Sequence, residues 1–229
     1  MTIRWRSKVR LREPTLHCAS LNRGNWRAMS ATRKIAAILA ADVVKIHLAR
    51  VQRRPKMLEP ADYSTTETLR DGRKVEIRAQ RPQDRPGLEA AIAHMSDETL
   101  HRRFFVVKHH FSEEEAAYFL NIDFVNHVAL VVVADKNGEQ TIIGSGRYLV
   151  VEPGRAEVAF AVTDEYQGRG VGAALMRHLA ALAKDAGIHE LVAEVLADNA
   201  PMLKVFERSG LKMSARREDQ VVHVTLRFV

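Results

Sequence analysis

Three glycines alternate through Tyr166-Gln167-Gly168-Arg169-Gly170-Val171-Gly172, between a strand-like run at 156–162 and a strongly periodic helical pattern at 171–186. No other stretch constrains the fold as tightly. A loop with no side chains over its backbone takes φ > 0 cheaply and can point successive N–H groups one way. Those donors run into the first turn of a helix, where unpaired N–H groups and the dipole favour an anion. The stretch predicts a strand–loop–helix corner holding a phosphate or pyrophosphate.

Two common phosphate loops fit poorly. Gly168, Gly170 and Ala173 match the dinucleotide pattern G-x-G-x-x-G/A, but residues 163–167 separate the first glycine from its strand. The 57 residues after Gly172 are too few for the rest of a doubly wound sheet. Gly172-Ala173-Ala174 is not the Gly-Lys-Ser/Thr of a nucleoside triphosphate loop.

Gln167, Gly170 and Gly172 instead resemble the Q/R-x-x-G-x-G/A signature of the GNAT family of N-acetyltransferases. Asp198-Asn199-Ala200-Pro201-Met202-Leu203-Lys204-Val205-Phe206-Glu207-Arg208-Ser209-Gly210-Leu211 resembles that family's second motif, N-x-x-A/M-x-x-x-Y/F-x-x-x-G-F. Its Asn199 lies 29 residues beyond Gly170, one helix and one strand later. The resemblance implies that Gln167, Gly168, Arg169, Gly170, Val171 and Gly172 cradle the pyrophosphate of acetyl-coenzyme A, and that Asn199 bonds its pantetheine arm. Asn199 also suits a helix N-cap, and both roles can hold at once. Phe206 stands where the family often has a tyrosine that protonates the leaving thiolate. A phenyl ring has no proton to give, so Phe206 is expected only to pack against the coenzyme, and the general acid stays unassigned.

Acyl transfer to an amine makes two demands. The amine must be neutral, and a lysine near pKa ~10.4 is almost wholly charged at neutral pH, so a base or desolvation is required. The thioester oxygen gains charge and needs a donor. The resemblance implies a backbone N–H on a splayed strand, near Phe160, Ala161 or Val162. For the base the reading is Glu157, which shares a strand face with Ala159, Ala161 and Thr163; Val158, Phe160 and Val162 take the other face. Glu194 is the second candidate, and Glu152 and Asp164 are read as turn and cap residues. Met95-Ser96-Asp97-Glu98-Thr99-Leu100-His101-Arg102-Arg103-Phe104-Phe105 and Ala156-Glu157-Val158-Ala159-Phe160-Ala161-Val162 resemble bacterial Pat-type protein lysine acetyltransferases. That subgroup modifies lysines on acyl-CoA synthetases and uses a Glu on this strand as base. The resemblance thus implies a protein lysine acceptor, with a small amine as the alternative. A coenzyme-A-binding sensor without catalysis is a further reading.

The net charge of +7 hides an asymmetry. Residues 1–58 hold 14 Lys/Arg against 2 Asp/Glu, leaving 21 against 26 in the rest. The basic arm is read as a solvated tail and not as a nucleic-acid or membrane binder. Its Arg-rich start resembles a transit peptide in composition, and Met29 is an alternative start. Met29-Ser-Ala-Thr-Arg-Lys-Ile-Ala-Ala-Ile-Leu-Ala-Ala-Asp-Val-Val44 resembles the opening strand of class III nucleotidyl cyclases. One carboxylate cannot hold the two magnesium ions of that chemistry, so no cyclase activity is expected. One cysteine, Cys18, allows no intrachain disulfide. The ten histidines form no ligand motif, so no metal is expected. No apolar run reaches the ~18 residues of a membrane span, and a cytoplasmic protein is expected.

Residues 1–68 are read as arm and linker, and 69–229 as the GNAT domain. Strands are expected at 74–79, 127–134, 141–151, 155–162, 190–196, 212–217 and 220–228. Helices are expected after Asp84, Ser96 and Ser112, at 171–186 and at 199–209. Asn137-Gly138 marks a hairpin turn. The expected fold is α/β: a mixed, mostly antiparallel central sheet with helices on both faces.

Overall fold

Short turns join most of the apolar, alternating runs, and such turns can only give antiparallel neighbours. The computed structural model describes residues 59–229, and these build one eight-stranded sheet. Cys18 and the cyclase-like run lie outside the described residues. The strands are β1 (Ser64–Thr68), β2 (Lys74–Ala79), β3 (His127–Lys136), β4 (Glu139–Glu152), β5 (Arg155–Val162), β6 (Glu190–Leu196), β7 (Lys212–Glu218) and β8 (Val221–Arg227). Their spatial order is β1-β2-β3-β4-β5-β6-β8-β7. Every adjacent pair is antiparallel except β5–β6, which a helix crossover makes parallel. At the β3–β4 turn Asn137 (φ 58°) and Gly138 (φ 87°) are both left-handed, as a tight primed turn requires.

Five helices complete the domain: α1 (Arg85–Ala93), α2 (Asp97–Phe104), α3 (Glu113–Leu120), α4 (Val171–Asp185) and α5 (Ala200–Glu207). Helix α4 buries Val171, Ala174, Leu175, Leu179 and Leu182, the face its periodicity predicts, and adds Met176 and Ala183. That face packs on Leu130, Val132, Val158 and Phe160. Helices α1–α3 cover the opposite face, where Met95, Leu100 and Phe104 meet Ala161, Phe111 and Phe119. Three phenyl rings lock this smaller core edge to face, with centroids 5.0–6.1 Å apart.

Two glycines let α4 approach the sheet. A β-carbon on Gly146 would stand 2.7 Å from the Phe160 ring and 3.0 Å from Leu179. One on Gly144 would meet the Ala161 carbonyl and Val171 at 3.1 Å.

The sheet starts earlier than residue 69. Ser64–Thr68 pairs with residues 74–78 of β2, and Glu67 accepts from Arg177 (2.7 Å) and His178 (2.8 Å) of α4. Asp84 is also corrected. It precedes α1 but does not cap it with its side chain. The carboxylate takes both arms of Arg78 (2.8 and 2.7 Å) and the Arg81 N–H (2.7 Å). Ser96 and Ser112 do cap α2 and α3, the latter in a capping box with Glu115.

Candidate active site

Two features meet at the end of β5. The first is the glycine loop. After a turn at Asp164–Tyr166, Gly168 (φ 73°) and Gly170 (φ 99°) curl the chain into α4, with Gly170 as N-cap. Loop carbonyls turn inward: Arg169 O accepts from Arg70 N (3.2 Å) and Gly170 O from Ala174 N (3.0 Å). The N–H groups of Gly168, Arg169, Gly170, Val171, Gly172 and Ala173 have no acceptor among the described residues. Nothing lies within 4 Å of a β-carbon placed on Gly168. These are six donors at a helix N-terminus beside open space, which is what an anionic diphosphate needs.

Within the loop, side chains buttress and do not reach outward. The Arg169 guanidinium donates to Asp71 (2.6 Å) and the Glu165 carbonyl (2.8 Å), and lies over the Tyr166 ring. Its backbone amide therefore remains the group available to a ligand. Gln167 is exposed, and its donors are engaged within the protein. Its backbone N–H donates to Asp164 O, and its Nε2 donates to Thr99 Oγ1 (2.8 Å) and Val162 O (3.2 Å). Both its donors are spent on the protein.

The second feature is a parting of strands. β5 pairs with β6 only at Arg155, Ala156 and Glu157, while β6 continues along β8. From Val158 to Val162, β5 keeps β4 on one edge and has no strand on the other. Alternate N–H groups there point across a gap. Phe160, Ala161 and Val162 line that half, downstream of the vertex and next to the glycine loop.

Glu157 sits at the vertex, opposite Val192 in β6 and Leu149 in β4. Solvent reaches it, yet protein surrounds it, and this poor solvation raises its carboxyl above the usual range. The nearby Glu194 charge raises it further, and Arg103 opposes both. Arg103, in the last turn of α2, was not legible as a site residue because only the packing of α2 on β5 brings it there. Glu194 itself lies 3.4 Å from His223 across the strands and is solvent-exposed.

Asn199 caps α5, its Oδ1 accepting from Met202 N (3.2 Å). The cap uses only the oxygen and leaves the amide donor for a second role. Phe206 is corrected: it is 1 % exposed and packs against Phe160 at 6.1 Å. It belongs to the core and offers no surface to a coenzyme. Among the described residues no group of three or more His, Cys, Asp or Glu could hold a metal ion. No helix there is long and apolar enough to cross a membrane.

Comparison with known proteins agrees with this geometry. The model of the acetyltransferase (GNAT) family matches residues 93–211. The acetyltransferase PA5475 of Pseudomonas aeruginosa is 34% identical over 160 residues, covering 69% of this chain and 86% of that protein. The acetyltransferase Pat of Mycolicibacterium smegmatis is 37% identical over 119 residues, half of this chain but only 34% of that longer protein. Among solved structures, the GNAT domain of S. lividans PAT superposes with a TM-score of 0.65 at 34% identity, covering 72% of this chain and 97% of that domain. The chain belongs to the GNAT family and is an acetyltransferase.

Proposed function

We propose that the protein moves an acetyl group from acetyl-CoA to the side-chain amine of a protein lysine, with Glu157 as base. The observation that carries the reading is the pairing of two features on β5. Six outward amides at the start of α4 stand at one end of the parted strands, and a poorly solvated carboxylate stands at the other.

The residues divide the work as follows. Amides of residues 168–173 hold the coenzyme's diphosphate, and Asn199 Nδ2 donates to the pantetheine arm. The free edge of β5 near Phe160, Ala161 and Val162 offers an N–H to the thioester oxygen, where charge develops. Glu157 takes the proton from an ammonium, directly or through one water, so that the nitrogen lone pair can attack the carbonyl carbon. Its raised pKa makes it a stronger base than an ordinary carboxylate and keeps its proton affinity closer to working pH. The C–S bond then breaks, and the thiolate takes its proton from water or from the attacking nitrogen, since Phe206 has none to give.

Two observations favour a cationic acceptor. Residues 59–229 carry more acidic than basic side chains, and both Glu157 and Glu194 flank the vertex. The direct test is coenzyme thiol release from acetyl-CoA in the presence of lysine-bearing proteins, acyl-CoA synthetases among them, and of small amines. Release with a protein lysine supports the proposal. Release with small amines alone moves the acceptor to that class. Tight coenzyme binding with no release from any amine favours a non-catalytic sensor, the reading that the missing Phe206 hydroxyl would suit.

A further inference from the structure

A closed hydrogen-bond cluster ties the start of α2 to the segment between β5 and the glycine loop. Asp164 accepts from Ser96 N (2.9 Å), Ser96 Oγ (2.6 Å) and Thr99 Oγ1 (2.7 Å). Thr99 Oγ1 accepts in turn from Gln167 Nε2, which also reaches the Val162 carbonyl at the end of β5. Capping α2 needs only Ser96 Oγ, which receives Thr99 N. Asp164 also takes the N-cap N–H of Ser96, but its bond to Thr99 Oγ1 and the Gln167 link satisfy none of the helix's own orphan donors. They join segments 65 and 68 residues apart in sequence.

Helix α2 packs on β5. Its N-terminus meets the residues just past the strand's end. Its last turn carries Arg103, whose charge bears on Glu157 near the strand's start. The lengths agree: eight helical residues span about 12 Å, and the strand from Glu157 to Val162 spans about 16 Å. One short helix is therefore bonded at one end of the parted strands and carries a charge that bears on the other.

We propose that the Asp164–Ser96–Thr99–Gln167 cluster is a positioning device: it couples the loop that receives the coenzyme to α2, and through α2 it holds Arg103 beside Glu157. The inference rests on the reading of Glu157 as base and of the loop as an anion cradle. Thr99 and Asp164 are positioning residues and touch no reacting atom. The charged groups bearing on Glu157 are Arg103 from α2 and Glu194 from β6, while β4 presents Leu149 opposite it. A shift of α2 alters only the first. Without Arg103 nearby, Glu194 and poor solvation act unopposed, and Glu157 holds its proton to higher pH.

Thr99→Val keeps the side chain's size and removes the hydroxyl at the cluster's centre. Two measurements on the full chain test the coupling. Amide hydrogen exchange with and without coenzyme A is the first. In the parent, coenzyme slows exchange in residues 168–173 and also in 100–104; in the variant the second protection is lost. The second is the pH profile of kcat/KM for the amine. Its acid limb moves up by about half a pH unit in Thr99→Val, similarly in Arg103→Met, and no further in the double variant. Gln167→Ala cuts the loop side alone and replaces Thr99→Val if that variant does not fold. Protection of 100–104 that survives in the variants overturns the proposal, as does an acid limb that moves with Arg103→Met but not with Thr99→Val. If Glu157→Gln retains turnover, the base assignment fails by itself, and hydrogen exchange still decides the coupling. If coenzyme protects neither segment in the parent, the cradle and the coupling fall together.

Discussion

Glu157 stands opposite Val192 on the last rung that joins β5 to β6, so the proposed base occupies the point where the two strands part. An ordinary surface carboxylate would ionise well below working pH. Here desolvation and Glu194 outweigh Arg103 and raise it. The base must lose its proton before it acts, so kcat/KM for the amine rises with pH, with an acid limb above the usual ~4.3 of a glutamate. Glu157→Gln is expected to lower kcat about 100-fold or more and to abolish that limb, with coenzyme affinity within about threefold. The raised value also means that the folded state holds this proton more tightly than the unfolded chain. That stabilisation is present below the unfolded pKa and is lost as pH rises through the folded one. The glutamine variant should therefore melt no lower than the parent at pH 8, which thermal denaturation checks.

Gly170 is the N-cap of α4 at φ 99° and ψ 0°. A β-carbon there meets only the Arg70 side chain at an ordinary 3.5 Å, so space is not the obstacle. The left-handed backbone is, costing an L side chain about 1–2 kcal/mol. If the loop relaxes to escape that strain, its amides turn off the diphosphate. Gly170→Ala is expected to raise KM for acetyl-CoA about tenfold, the equivalent of about 1.4 kcal/mol. Turnover at saturation should change by less than about threefold, because the groups at the vertex are untouched. Steady-state kinetics with acetyl-CoA varied will show the split.

How far the chain could be read in advance followed the range of the forces involved. The glycine loop, the serine caps of α2 and α3, and the bounds of β5 and β6 depend on neighbours within a few residues, and the structure agrees with them. Strand β1 escaped notice because Ser64-Thr-Thr-Glu-Thr68 is a polar edge strand with no apolar alternation; it is held by backbone pairing to β2 and by Glu67 on α4. Arg103 and the Asp164–Thr99–Gln167 ties need a helix packed on a distant strand. Asp84 carries a good cap signal, but two arms of a guanidinium outbid a helix N–H. Phe206 matches a motif position by spacing, yet spacing does not tell which way a ring turns, and this one turns to Phe160.

Gly146 lies across the ladder from Phe160, and the two divide the space under α4. Its missing β-carbon would press on the Phe160 ring at 2.7 Å and on Leu179 at 3.0 Å. Neither can retreat easily, since Leu179 is wholly buried and Phe160 abuts Phe206. Gly146→Ala is expected to destabilise the domain by about 2 kcal/mol through overpacking. That corresponds to a fall in Tm of about 4–8 °C. Calorimetry of the variant measures it; an unchanged Tm would mean that the helix slides away from the sheet at no cost.

The Arg78–Asp84 pair is a separate source of stability, remote from the vertex. Both side chains are nearly buried, 12% and 9% exposed, and the contact is bidentate. Burial alone would raise the Asp84 carboxyl, but the guanidinium and the Arg81 N–H outweigh it and hold it low. A lowered folded pKa contributes stability above the unfolded value, ~3.9, that is lost as pH falls through the folded one. Asp84→Asn strands a buried guanidinium, and the expected cost is about 3 kcal/mol at pH 7. Replacing both partners with apolar residues, Arg78→Met with Asp84→Leu, removes the stranded charge and should recover most of that loss. Urea midpoints from pH 3 to 7 discriminate the cases: the parent weakens toward the acid end, while both variants lack this pair's share of that dependence. A single variant as stable as the parent at pH 7 would show the pair to be energetically neutral there. The kinetics of all three proteins should agree, because neither residue reaches the groups that bind or react.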